Sequence, residues 1–94
     1  MDETPTKLLV AIVPDRAADG ALAALLARHF GATTIGSTGG FLRRGNTTIL
    51  SGVPSDEARQ AAELIRTACL DTREGDAAEQ GIAFALDVAW QLRL

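Results

Sequence analysis

The chain has 94 residues, 47% of them apolar, with three Phe, one Trp, no Tyr and a formal net charge of −3. That length predicts one domain, residues 1–94, built around a single core. Scarce aromatics and an acidic balance exclude a stacking platform for single strands and a phosphate-neutralising surface for polymeric DNA or RNA; a small anion held by a local cluster of donors stays possible.

Met1-Asp2-Glu3 is acidic and precedes only a short apolar run, and no stretch approaches the ~18 apolar residues of a membrane span. The expected compartment is the cytoplasm, with no membrane partner. Lys7 to Val13 is an apolar run stopped by Pro14-Asp15, and predicts a buried strand. A helix is predicted from about Arg16 to Phe30, with Leu22, Leu25, Leu26 and Phe30 forming one stripe. Gly20 weakens its start, so Asp19 is a candidate cap, and Gly31 stands where a C-terminal glycine belongs. Ala32 to Thr38 carries Thr33, Thr34, Ile35 and Thr38 and predicts a second strand.

Gly39-Gly40 breaks that strand, 41–45 makes the reversal, and Asn46 to Val53 returns as a third strand of a hairpin. Pro54-Ser55-Asp56-Glu57 opens a second helix with Ser55 as candidate cap. Its inward face is Ala58, Ala61, Ala62, Ile65 and Cys69, with Leu64 and Ala68 beside them. Cys69, the only cysteine, rules out an intrachain disulfide and a cysteine zinc cluster, and reads as a small buried helix residue. A charged connection from Leu70 to Gln80 leads to a fourth strand, Gly81 to Val88. The tail from Ala89 to Leu94, with Trp90, Leu92 and Leu94, is too apolar to be left in water.

The order strand, helix, strand, strand, helix, strand predicts an α+β chain of the ferredoxin-like βαββαβ kind, a four-stranded antiparallel sheet with two helices on one face. Half-exposed strands should alternate apolar and polar residues, yet Leu8 to Val13 and Ile82 to Leu86 barely do. The bare face therefore calls for a second cover, and a chain this short must find it in copies of itself as a closed homo-oligomer.

The densest chemistry lies in Thr38-Gly39-Gly40-Phe41-Leu42-Arg43-Arg44-Gly45-Asn46-Thr47-Thr48: three glycines, two arginines, an asparagine and three hydroxyls in eleven residues. Glycines let backbone N–H groups approach an anion, and arginine grips phosphate with two parallel hydrogen bonds. Asparagine offers a donor and an acceptor side by side, as an adenine edge requires. Two readings stay open at this point: a hairpin for a small phosphorylated ligand, or turn glycines around a solvated arginine tip.

The run Thr38-Gly39-Gly40-Phe41-Leu42 followed by Gly45-Asn46-Thr47-Thr48 resembles the signature of the cyclic-di-AMP receptors, a P-II-like signalling family. Lys7-Leu8-Leu9-Val10-Ala11-Ile12-Val13 with Asp15, Phe30-Gly31-Ala32-Thr33 and Leu50-Ser51-Gly52-Val53 are similar to that family's flanking segments, and Ile82 to Val88 more loosely so. The resemblance implies a single P-II-like domain and a cytoplasmic homotrimer that binds a small nucleotide, cyclic di-AMP, in clefts between subunits and signals to an effector protein of unknown identity. By position it implies that Asn46 reads the adenine, that the Gly52 backbone helps hold it, and that Thr33 bonds near phosphate or ribose. Gly40, Phe41 and Leu42 would line the cleft, with Arg43 in the same motif.

The chain departs from that pattern twice. Gly31 stands where the family carries a phosphate-binding arginine, leaving Arg28 and Arg44 as the cations that could replace it. The connection at 70–80 is much shorter than the family's loop, which contributes to the ligand site.

No catalytic set, metal site or cofactor is expected. His29 is the only histidine and reads as a helix-end residue; Asp71, Glu74, Asp76 and Glu79 read as a solvated surface; Ser37 and Ser51 lack a nearby base. Two alternatives stand beside the nucleotide receptor. One is a P-II-like scaffold that has lost the nucleotide and works through protein contacts or another small anion; the other is a small oligomeric enzyme of the same fold.

Overall fold

The computed structural model describes residues 6–35, 45–71, 81–92 and 94. Its elements run β1 (Thr6–Pro14), α1 (Asp15–Ala27), β2 (Gly31–Ile35), β3 (Asn46–Pro54), a 3-10 turn (Ser55–Glu57), α2 (Ala58–Asp71) and β4 (Ile82–Asp87). The strands form one antiparallel sheet in the order β2-β3-β1-β4. This is the ferredoxin-like α+β arrangement that the order of apolar runs and breakers predicts.

Both helices pack on one side of the sheet. Leu9, Ala11 and Val13 of β1 and Ile49 and Val53 of β3 point toward them and are buried. Ala17, Ala18, Ala21 and Leu25 of α1 and Ala58, Ala61, Ile65 and Cys69 of α2 close the core from above. Alanine at so many contact positions lets the helices approach closely; a β-carbon placed on Gly20 would meet that of Ala68 at 3.9 Å. Burial pushes the Cys69 thiol up, with the charge of Arg16 pulling the other way. The residue is a core filler on α2, as expected from its place in the helix stripe.

Several local expectations are corrected. Helix α1 starts at Asp15, not near Asp19, and Gly20 lies inside it at the α1–α2 contact. The buried stripe is Ala17, Ala18, Ala21 and Leu25, while Leu26 is half exposed. Helix α1 ends at Ala27, and the left-handed residue after it is His29 (φ 64), not Gly31. The His29 N–H donates to the Leu26 carbonyl (3.0 Å) and the Phe30 N–H to the Leu25 carbonyl (3.0 Å). This is the Schellman closure, in which the residue two past the cap packs back on the last turn. Buried Phe30 and buried Leu25 are that apolar pair. Gly31 instead opens β2. Ser55 makes no side-chain cap bond; Pro54 precedes a 3-10 turn that runs into α2.

Strand β4 is exposed along its whole length, and Trp90, Leu92 and Leu94 are 76%, 70% and 109% exposed. No described residue of the chain covers the apolar tail. The parts of the predicted second strand at 36–38 and of the connection at 72–80 lie outside the described residues.

Candidate functional site

Ladder partners in a sheet share a face, so the register sorts the strands' side chains directly. On the side away from the helices, Leu8 stands beside Gly52 and Leu86, Val10 beside Leu50 and Phe84, and Ile12 beside Thr48 and Ile82. Across β3, Gly31 stands beside Gly52, Thr33 beside Leu50, and Ile35 beside Thr48. The result is a broad face, apolar over β1 and β4 and more polar over β2 and β3.

Three of the site residues predicted from the sequence are described, and all three belong to this face. Thr33 neighbours Leu50, and Gly52 is the next residue of β3 on the same side, ~7 Å along the strand. Asn46 has the same parity as Thr48, Leu50 and Gly52, and lies at the far end of β3, ~20 Å from Gly52. Thr33 and Gly52 thus form one end of a strip and Asn46 the other. Gly40, Phe41, Leu42 and Arg43 lie outside the described residues.

The end near Gly52 is open. A β-carbon built on Gly31 or on Gly52 meets nothing within 4 Å. The glycine pair leaves a shallow hollow where a ligand can reach backbone N–H and C=O groups. Ser51, on the helix side and buried, donates from its hydroxyl to the Gly31 carbonyl (2.8 Å), fixing β2 against β3 under the hollow.

The end near Asn46 is tied to the start of α1. Pro14 is the ladder partner of Asn46, the Asp15 N–H donates to the Gly45 carbonyl (2.8 Å), and the Thr47 hydroxyl donates to Asp15 Oδ1 (2.6 Å). Gly45 takes φ 86, a left-handed conformation that glycine accepts without penalty.

Between the two ends, Thr48 Oγ1 is buried and has no hydrogen-bond partner among the described residues. A buried hydroxyl left this way costs ~1–3 kcal/mol. Sequence reading missed Thr48 and Leu50 as members of the strip. The period-two spacing of Asn46, Thr48, Leu50 and Gly52 was the available signal.

The face carries no charged side chain among its described residues. Arg28, one expected substitute for the missing phosphate-binding arginine, lies instead against the Gln60 side-chain amide of α2, on the helix side, and pairs with its oxygen once that amide is turned to match donor with acceptor. No group of His, Cys, Asp and Glu that could hold a metal ion occurs among the described residues. No helix among them is long and apolar enough to cross a membrane.

An apolar sheet face with a polar strip and backbone-exposing glycines defines a binding protein of ferredoxin-like fold. The chain belongs to the cyclic-di-AMP receptor family, whose model matches residues 6–88. That is a family of signalling receptors. Among solved structures, that of a functionally unknown protein from Pediococcus pentosaceus ATCC 25745 is similar. It is 29% identical, has a TM-score of 0.78, and the match covers 97% of this chain and 99% of that one.

Proposed function

We propose that the whole chain is one P-II-like domain that assembles as a cytoplasmic homotrimer, binds cyclic di-AMP between subunits, and passes the signal to an effector protein without catalysing a reaction. One observation carries the reading: in a chain of the cyclic-di-AMP receptor family, Thr33, Asn46 and Gly52 share the bare face of the sheet. Asn46 supplies the paired donor and acceptor that distinguish adenine. The Gly31–Gly52 hollow with the Thr33 hydroxyl lies ~20 Å away along β3, so the two ends of the strip contact different parts of a ligand held between subunits, not one adenine within a chain. Gly40, Phe41, Leu42 and Arg43 complete the cleft from the hairpin.

The same face supports the oligomer. Ile82, Phe84 and Leu86 are 61%, 45% and 50% exposed, next to Leu8, Val10 and Ile12. A contiguous apolar area of that kind marks an interface, and closed assemblies of identical chains are the commonest way to bury one. Ligand binding shifts the population toward one arrangement of the hairpin and the 70–80 loop, which the effector reads.

One observation favours a second reading. With Gly31 in place of the family's arginine, and no charge among the face's described residues, phosphate must be held by the hairpin arginines or a neighbouring copy. A scaffold that has lost the nucleotide predicts the same geometry. Calorimetric titration of wild type and Asn46→Ala with cyclic di-AMP separates the two. The receptor reading expects saturable heat near one ligand per chain, weakened at least tenfold by Asn46→Ala. No heat for either protein supports the scaffold, whereas equal saturable heat for both keeps the receptor and removes Asn46 from the site.

A further inference from the structure

Asn46 can discriminate between bases only if its amide is held in place, because each misdirected hydrogen bond loses the distinction it makes. It is the first residue of β3, at the end of the strand. Yet both of its chain neighbours are held, and by the same residue. Asp15 takes Gly45 through its backbone N–H (2.8 Å) and Thr47 through its carboxylate (2.6 Å). Pro14 continues the ladder opposite Asn46 itself. Asp15 is in turn the first residue of α1, which anchors in the core through Ala17, Ala18, Ala21 and Leu25.

We propose that Asp15 is the positioning residue of the site: it clamps Gly45 and Thr47 to the core and so fixes the orientation of Asn46 between them. The role rests on the nucleotide reading of Asn46. It differs from the generic use of an acid at a helix start, which would act through charge and would leave ligand preference alone. A clamp needs an acceptor oxygen in the right place and no net charge. Asp15→Asn keeps that oxygen for the Thr47 hydroxyl, whereas Asp15→Ala and Thr47→Val each remove one partner.

The test has two parts on the full chain. Without ligand, amide hydrogen exchange at 45–48 should quicken in Asp15→Ala and Thr47→Val and stay near wild type in Asp15→Asn. With ligand, Asp15→Ala and Thr47→Val should lose about tenfold in cyclic di-AMP affinity and narrow the preference over cyclic di-GMP. Asp15→Asn should stay within about twofold of wild type on both counts. Unchanged exchange in Asp15→Ala overturns the clamp. Faster exchange with affinity and preference intact overturns its positioning role while leaving the nucleotide reading in place. A wild type that binds neither dinucleotide overturns the nucleotide reading and the positioning role together.

Discussion

Gly31 is the residue on which the proposed nucleotide affinity depends most. It lies on the open face beside Gly52, and a side chain there enters empty space without strain. Gly31→Arg should therefore fold normally and project a guanidinium onto the open face, where the proposed ligand would place its phosphates. A charge-assisted hydrogen bond contributes ~1.5–3 kcal/mol, so cyclic di-AMP affinity should rise ~10- to 100-fold by calorimetry. An unchanged affinity in a folded variant would mean that phosphate is not held near Gly31. A second residue sets a pH dependence. Lys7 Nζ lies 2.5 Å from Asp87 Oδ1, and its hydrogen bond and charge lower the Asp87 pKa. A depressed folded-state pKa means that the unfolded chain binds the proton more readily. The contribution is thus present at neutral pH and fades as the pH falls through the carboxylate range. Lys7→Met should flatten that part of the stability profile in thermal melts at a series of acid pH values. The effect should be small, because the pair is exposed and screened by salt.

The turn between α1 and β2 shows where sequence reading succeeds and where it stops. The elements themselves were legible: apolar runs bounded by Pro14, Gly39-Gly40 and Pro54 mark strands, and alanine-rich stretches mark helices. The end of α1 was not. Gly31 satisfies the usual rule for a helix terminus, but Phe30 must return to the core over Leu25, and that places the left-handed residue at His29. Tertiary packing overrode the local signal. His29→Gly should relieve a left-handed side chain and stabilise the fold by ~1 kcal/mol, raising the melting temperature by several degrees. A lowered melting temperature would mean that the imidazole contributes more than its backbone costs. The site was legible in the same partial way. Asn46 and Gly52 stand out by residue type, and the strand alternation places them on one face. The part played by Asp15 could not be read, because it depends on β1 and β3 pairing so that residues 15 and 45–47 meet.

Among the described residues, only one side of the sheet is covered. The helices bury one side, while Leu8, Val10, Ile12, Phe84 and Leu86 form an apolar field on the other, with Trp90 and Leu92 exposed beyond it. Burial of such a field between copies would gain ~25 cal/mol per Å² of apolar surface, which is the driving force for the proposed oligomer. Phe84→Lys at the centre of that field should shift the native mass toward the monomer while leaving the helix signal in circular dichroism intact. An unaltered mass would place the interface elsewhere. The central claim, a cyclic di-AMP receptor assembled from these faces, is tested most directly by titrating the wild-type protein with cyclic di-AMP in a calorimeter, with cyclic di-GMP and ATP as controls. The account predicts selective, saturable binding near one molecule per chain. Silence with all three, or equal binding of all three, would contradict it.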